Sequence, residues 1–545
     1  MSRRRFPSPR HLIGVTRFSD DRRMRRPIEL VKLLDRLHEV KGLEALLATL
    51  VQKTTFARGE GRPRMPASWV HAYLGHVADG EPHWLRWYDD STDAYWTACG
   101  FAARPSYTTV YQRFRELEDA VDAVDDAHGE IVRFARRHDP LVGLYGHVDA
   151  TEVAAHVRLV HACEAGDNCP GFRRGRGPTN KPRRVDAGEA AALRAREVDH
   201  APDDDIVDVD GPFERDAGEF QFARDGRVRV KIGAHWYLTR DPDVGIRVYS
   251  RGGVAHKVWI GYYNQTIVDH RTGATLAQTF QSASRNEADI YPETLEQLHR
   301  KMGCLPRACT SDKGLAQKSL FTLNNRRGVL LAAPLRNNQF SPIDTDTLVV
   351  DRDGVPRCKY CGAQGRQIRY TEKPNPRIWF VCTLQLTPGC SRTSSDGERI
   401  PRPQSLACSI DPRRLGPLPR TSLAYQELLA SHSNSEHAHY DRRRRFSVAG
   451  KDLTCRLKRP GLPVQRLRGA AGALIEWVLI AHRCGWLGHL SQPRQFNEGN
   501  YTANAENRLA KLRARRRAAG LDLPYGPRAA ELGVGPALPP SQRKP

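Results

Sequence analysis

The sequence predicts a chain of mixed α and β structure, in which a helical N-terminal region precedes a core built on a mixed sheet. In residues 27–51 and 66–88 the apolar side chains recur three or four positions apart, which is helical spacing. Strand-like segments in the middle of the chain form a hairpin and then alternate with helices, an order typical of a mixed sheet. A third observation, four cysteines within residues 358–390, indicates a separate module inserted into that core.

Composition narrows the possible function classes. The chain has 545 residues, enough for about three domains, and 85 Lys and Arg against 62 Asp and Glu leave a net charge of +23. No stretch reaches the ~20 apolar residues of a membrane span, and no apolar segment follows the basic N-terminus as in a secretory signal. We therefore expect a soluble, cytoplasmic protein.

The positive charge is clustered, which favours a nucleic-acid partner because such clusters neutralise phosphates and release their counterions. The alternative is an arginine-rich composition without a specific partner. The clusters are residues 3–5, 22–26, 173–184, 442–445 and 513–517.

The N-terminal region contains a candidate DNA-reading helix. Ser106 is the expected N-cap of a long helix over about 109–138, whose first turns carry apolar residues on one face. Arg113 and Arg115 should then face outward, as in the second helix of a helix-turn-helix. Any helical hairpin gives the same pattern, so DNA binding by these two arginines is a hypothesis.

Two carboxylates follow predicted strands of the core. Asp149 ends the apolar run 141–148, and Asp312 ends the short strand 307–311. Acids at the ends of neighbouring strands repel each other unless a cation holds them, and oxygen ligands suit Mg²⁺. Two such ions about 3.5–4 Å apart serve phosphodiester displacement. The alternative for either residue alone is the capping of a loop or helix.

The order of these motifs resembles the DDE transposases of bacterial insertion sequences, which have a ribonuclease-H-like catalytic core. The resemblance runs from about Gly100 to Leu487, interrupted by two inserts. It rests on Cys99-Gly100-Phe101, Arg104-Pro105-Ser106, Val148-Asp149-Ala150-Thr151, Asp241-Pro242-Asp243, Gly261-Tyr262-Tyr263, Val268-Asp269, Thr272-Gly273, Asn286-Glu287 and Ser311-Asp312-Lys313-Gly314-Leu315.

The resemblance implies a catalytic triad with a glutamate on a C-terminal helix. Glu436 is the candidate, and Asp441 is the alternative. One branch of the family carries Tyr, Arg and Lys around this glutamate, where this chain has Leu429, His432 and Arg443. Only the basic character of Arg443 is kept, which makes it a candidate DNA contact. The implied cofactor is a pair of Mg²⁺ ions held by Asp149, Asp312 and Glu436.

The cysteine module predicts a second metal. Cys358 and Cys361 form a Cys-x₂-Cys-Gly knuckle, and Cys382 and Cys390 supply a second pair, which suits tetrahedral structural Zn²⁺. The second pair has the spacing Cys-x₇-Cys, so incidental thiols are the alternative. The module has too few apolar residues to bury a core of its own, so we expect the folding of a zinc ribbon here to depend on its metal.

A looser set of possible ligands is His156, His161, Cys163 and Cys169, for which a polar loop with free thiols is the competing interpretation.

Together these features predict a transposase that catalyses Mg²⁺-dependent DNA cleavage and strand transfer at terminal inverted repeats and target DNA, as a homo-oligomer in a synaptic complex. We expect it to associate with the bacterial nucleoid through its DNA binding. The alternatives are a transposase-derived DNA-binding protein without catalysis and a Mg²⁺-dependent nuclease that does not join strands. The predicted organisation is a helical DNA-binding region (1–138), a first core segment (139–344, with a polar insertion at 162–226), the zinc-ribbon module (345–410), a helical part of the core (411–490) and a basic, proline-rich tail (491–545).

Overall fold

The computed structural model describes the greater part of the chain between residues 27 and 491. The described residues are 27–46, 50–51, 67–154, 158–161, 206–208, 214–216, 220–222, 228–232, 235–239, 241, 243–251, 254–270, 272–336, 339, 341–345, 348–351, 353–359, 361–371, 375–382, 404–432, 439, 442, 446 and 461–491. Among them no helix combines the length and apolar character needed to cross a membrane.

The N-terminal part is helical, as predicted. Its helices are α1 (Pro27–Asp35), α2 (Ala67–Asp79), α3 (Trp84–Asp90), α4 (Asp93–Ala98), α5 (Tyr107–Glu118) and α6 (Val121–His138). The Ser106 side chain accepts a hydrogen bond from the backbone N–H of Thr109 at 3.3 Å, which confirms the predicted N-cap of α5. The single helix predicted over 109–138 was wrong. The chain turns at Asp119–Ala120, where the Ala120 N–H bonds to the Leu117 carbonyl at 2.9 Å.

The centre of the fold is a mixed sheet. Five of its strands lie side by side in the order β10-β9-β1-β11-β12. These strands are β1 (Tyr145–Ala154), β9 (Val254–Asp269), β10 (Thr275–Ser282), β11 (Ala308–Ser311) and β12 (Leu330–Ala332). Strand β9 is antiparallel to both of its neighbours, whereas β1, β11 and β12 are parallel to one another. The predicted hairpin and the predicted mixed sheet are both confirmed.

Helices cover both faces of this sheet. The helices that follow the hairpin are α7 (Glu287–Met302), α8 (Lys318–Arg326), α9 (Leu423–Ser431) and α10 (Leu462–Arg483). Thr294 of α7 donates a hydrogen bond to Thr279 on one face of β10 at 2.9 Å. On the other face Gly469 lets α10 approach closely, because a Cβ there would lie 2.4 Å from the ring of Phe280.

The N-terminal helices share their apolar core with the sheet. Buried side chains form one continuous cluster that includes Leu30 of α1, Phe114 of α5, Ile267 of β9 and Trp477 of α10. Burial of apolar surface at this scale is the main stabilising term of a fold. The helices therefore pack as part of the same body as the sheet.

Two further strands extend the mixed sheet, and a separate sheet is formed by other strands of the same part of the chain. Strands β4 (Glu214–Asp216) and β8 (Gly245–Arg251) pair with the first half of β9. A five-stranded sheet has the order β3-β2-β7-β6-β5. Its strands are β2 (Arg158–His161), β3 (Ile206–Asp208), β5 (Phe220–Phe222), β6 (Val228–Ile232) and β7 (His235–Thr239). The predicted polar insertion at 162–226 thus contains β3, β4 and β5, and its other residues lie outside the described part of the chain.

The cysteine-bearing insert consists of two three-stranded sheets. They are β13-β14-β15 and β16-β17-β18, with all neighbouring strands antiparallel. The strands are β13 (Ile343–Asp344), β14 (Leu348–Val350), β15 (Pro356–Cys358), β16 (Gly365–Thr371), β17 (Arg377–Cys382) and β18 (Gln404–Ala407).

The expectation that the insert has no core of its own was wrong. A small cluster of buried side chains includes Val350, Ile378, Phe380 and Leu415. Alternate residues of β17 are buried, and this period of two lets a short strand in a largely polar segment supply one face of the small core.

Candidate functional site

The two predicted acids are next to each other in the backbone register at the centre of the sheet. Val148 of β1 is in parallel register with Ser311, the last residue of β11, and Asp149 and Asp312 are the residues that follow. The Asp312 side chain accepts a hydrogen bond from the Gly314 N–H at 2.7 Å. The predicted neighbourhood of the two strands is confirmed, but the expectation that Asp149 ends its strand was wrong, because pairing with β9 continues β1 to Ala154. The catalytic role of the two acids stays a prediction.

A histidine that the sequence analysis missed lies beside Asp149. The Nε2 atom of His439 is 3.7 Å from Asp149 Oδ2 and 3.2 Å from the hydroxyl oxygen of Thr266, which is directly opposite Asp149 on β9. The His439 side chain is only 5% exposed, so its contacts are made within the protein. No spacing rule linked residue 439 to residue 149, because their contact depends on how the C-terminal segment packs on the sheet.

A third carboxylate, Glu287, lies beside Asp312. At Gly314 a Cβ would be 2.7 Å from Glu287 Oε2 and 2.8 Å from Asp312 Oδ1, so these oxygens are no farther apart than the sum of those distances. The other oxygen, Oε1, is bound by the Arg247 guanidinium and the Tyr263 hydroxyl. The resemblance included Glu287 only as part of a motif. The sequence signal that marks it is an acid directly after the helix N-cap Asn286.

The loop that carries Asp312 is held by residues that precede the insert. Arg336 donates hydrogen bonds to the carbonyls of Lys313 at 3.0 Å and Gly314 at 2.8 Å. Gln339 donates a third, to the carbonyl of Ala316, at 2.8 Å. These contacts tie the position of Asp312 to the segment that leads into the cysteine module.

Histidines form a hydrogen-bonded group around His147 and Thr310, each of which precedes one of the two acids by two residues. His147 contacts the Thr310 hydroxyl at 2.6 Å and His270 Nδ1 at 2.8 Å, and Thr310 also lies 3.3 Å from His432 Nδ1. Burial lowers the pKa of His147 well below its usual value and that of His270 to about 4. These rings are therefore neutral at physiological pH.

Other predicted site residues divide into two groups. Glu436, Asp441 and Arg443 lie outside the described residues. Arg113 pairs with Glu116 at 2.8 Å on the outer side of α5, and the exposed Arg115 has its guanidinium carbon 6.0 Å from the centre of the Tyr111 ring. Both arginines face away from the core, as predicted, but no contact brings them to the carboxylates.

Three of the four predicted zinc ligands come together. The sulfur atoms of Cys358, Cys361 and Cys382 lie within 4.8 Å of one another. No other group of three or more potential metal ligands in the described part of the chain meets that distance. Cys390 lies outside the described residues, as do Cys163, Cys169 and the side chains of His156 and His161.

Comparisons with known proteins add little to this geometry. No protein family and no curated protein matches the chain. Among solved structures, a piggyBac transposase synaptic complex with hairpin DNA aligns over 96% of this chain and 87% of that one, with 10% identity and a TM-score of 0.30. At that TM-score the likeness supports neither a fold nor a function.

Proposed function

We propose that this chain is a transposase that cuts and joins DNA strands at a site formed by Asp149 and Asp312. The observation that carries the proposal is the parallel register of β1 and β11, since it brings Asp149 and Asp312 to neighbouring positions where β11 ends. Neighbouring acids can hold the metal ions that assist phosphodiester displacement.

The strand order supports a ribonuclease-H-like core. Of the five central strands, β1 comes first along the chain, the hairpin β9–β10 supplies the second and third, and the sheet runs 3-2-1-4-5 with the second strand antiparallel. Helix α7 connects the third strand to the fourth, and α8 connects the fourth to the fifth. This is the topology that the resemblance to DDE transposases implies, and it comes from backbone pairing rather than from side-chain motifs.

The residues at the site fit Mg²⁺. The donors are carboxylate oxygens. Because Gly314 has no Cβ, the Asp312 and Glu287 carboxylates can both lie close to it. Asp149 and Asp312 would hold the metal, with Glu436 as the third acid on the strength of the resemblance. When bound, Mg²⁺ polarises a phosphoryl oxygen and lowers the pKa of water.

The chain's own residues orient this site. Asp312 is oriented by the Gly314 N–H, and Arg336 holds the backbone of the same loop. His439 and Thr266 lie against Asp149 and restrict its side chain. In the first proposed step water attacks phosphorus in line, and the P–O bond on the opposite side breaks. In the second step a DNA 3′-hydroxyl attacks a phosphorus atom in the same way, and again the opposite P–O bond breaks. The +23 net charge supplies the attraction for the phosphates of transposon ends and target DNA.

The proposed function is tested with the full-length chain and DNA that carries the sequences flanking its own coding region. With Mg²⁺ we expect cleavage at those ends and joined products in a supercoiled target, and we expect neither when EDTA is present. Cleavage without joined products would make the chain a nuclease. Binding with neither product would make it a DNA-binding protein, so either result would overturn the proposal.

A further inference from the structure

The inserted module contains a tight turn that brings two cysteines together. Cys358 ends β15, and its carbonyl accepts a hydrogen bond from the Gly362 N–H at 2.9 Å. The Cys358 N–H in turn donates to the Ala363 carbonyl at 2.9 Å. Gly362 has φ of +67°, which favours glycine over residues with a Cβ. This turn folds Cys361 back toward Cys358.

The third cysteine comes from the other sheet of the module. Cys382 ends β17 and pairs with Gly365, the first residue of β16. Its sulfur lies 3.4 Å from that of Cys361. A disulfide would need about 2.05 Å, whereas sulfurs that share a tetrahedral Zn²⁺ with Zn–S bonds of about 2.3 Å lie about 3.8 Å apart. The observed spacing is close to that of a shared metal.

We propose that Cys358, Cys361 and Cys382 bind one structural Zn²⁺ that cross-links the two three-stranded sheets of the module. Cys358 belongs to the first sheet and Cys382 to the second, and Cys361 lies on the turn between them. The sequence predicts a ribbon folded only by its metal. The structure instead gives each sheet its own strands, and the three sulfurs lie where the two sheets meet.

Two further cysteines of this module, Cys408 and Cys390, could supply a fourth ligand, and the structure excludes Cys408. Cys408 is buried, but its N–H donates to the Pro376 carbonyl, just before β17 begins, while Cys382 ends that strand. Six residues of strand span roughly 17–20 Å, which puts Cys408 out of reach. Cys390, eight residues after Cys382 in the sequence, is the ligand that the sequence predicts.

A metal at this junction contributes folding free energy that the small apolar core does not. Among the described residues the two sheets are joined by one isolated backbone pairing, Arg357 with Gln364, and by the small apolar core, in which Val350 of the first sheet lies with Ile378 and Phe380 of the second. Binding of Zn²⁺ to thiolates supplies several kcal/mol or more in small modules of this kind. The ion therefore adds a cross-link to the apolar contacts between the sheets.

The test is metal content of the purified full-length chain, with Cys408→Ser as the matched control. We expect about one zinc per chain in the wild type and in Cys408→Ser, and at least a tenfold loss of zinc in the double variant Cys358→Ser, Cys361→Ser. Absence of zinc from the wild type, or unchanged zinc in the double variant, would overturn the proposal.

A second measurement on the wild type remains informative if the double variant does not fold. Replacement of zinc by Co²⁺ should give the thiolate-to-metal charge-transfer absorption of a tetrahedral site. A spectrum of octahedral, oxygen-bound Co²⁺ would contradict the proposal. So would a count of free thiols two below the number of cysteines, since that would indicate a disulfide in place of the metal. Asp312→Asn should retain its zinc, so this inference stands or falls independently of the proposed DNA chemistry.

Discussion

Lys301 of α7 and Asp125 of α6 form an ion pair in which Nζ and Oδ1 are 2.5 Å apart and only 3% of the Lys301 side chain is exposed. The Lys301 Nζ atom also lies 3.0 Å from His128 Nδ1. Burial lowers the pKa of Lys301, and the neighbouring Asp125 carboxylate opposes that shift. This pair joins the N-terminal helices to the helix that follows the hairpin.

Replacement of Asp125 should destabilise the whole core. In Asp125→Ala the Lys301 ammonium would be buried without its partner, so we expect the free energy of unfolding to fall by about 3–5 kcal/mol in denaturant titrations. Asp122→Ala, one turn earlier, removes an acid that is 94% exposed and should change it by less than about 0.5 kcal/mol. Equal effects of the two substitutions would show that the pair does not hold α6 against α7.

Gly314→Ala should impair catalysis more than stability. The added methyl group would lie under 3 Å from both Glu287 Oε2 and Asp312 Oδ1, and Arg336 prevents the loop from moving aside freely. A displacement near 1 Å at a catalytic group costs roughly a hundredfold in rate, so we expect DNA cleavage to fall tenfold to a hundredfold in single-turnover assays. DNA affinity should be unchanged. The matched control is Gly416→Ala, where a Cβ meets nothing within 4 Å.

His270→Gln should flatten the acid side of the stability profile. The folded state keeps the His270 ring neutral because burial lowers its pKa from 6.5 to about 4. The stability from this group is therefore present above pH 6.5 and lost as pH falls toward 4. In the variant we expect that loss to shrink by up to roughly 3 kcal/mol, as measured by denaturant titration between pH 7 and 4.

The neighbouring Asp269 supplies an internal check on this profile. Burial raises its pKa to about 6, so its contribution is present at low pH and lost as pH rises through 6, opposite to that of His270. Because Asp269 is present in both proteins, the difference between their profiles isolates the histidine. Identical slopes for the two proteins would mean that His270 does not titrate across this range.

Local features of the fold could be predicted because they depend on neighbours in sequence. The cap at Ser106 and the buried face of α5 follow from helical periodicity and side-chain hydrogen bonding. Asp149 and Asp312 could be paired because each follows a segment that the sequence predicts to be a short strand of the core. The break at Asp119–Ala120 was not predicted, since the apolar pattern continues across it and the turn is set by packing.

Features that depend on tertiary packing were beyond the sequence analysis. The contacts of His439 with Asp149 and of Glu287 with the Asp312 loop join residues more than 20 positions apart on different elements. The small core of the insert depends on which face of β17 meets the neighbouring strands. Neither follows from spacing, because a spacing rule describes one element at a time.

The most direct test of the proposed function is Mg²⁺-dependent DNA cleavage by Asp312→Asn, measured beside Asp122→Asn, the same chemical change at an exposed site. Asparagine keeps the shape of Asp312 but removes the charge that would hold a cation. We expect Asp312→Asn to lose more than about a hundredfold in cleavage rate while its DNA affinity stays within twofold of the wild type. Cleavage by Asp312→Asn at the rate of Asp122→Asn would contradict the proposed catalytic site.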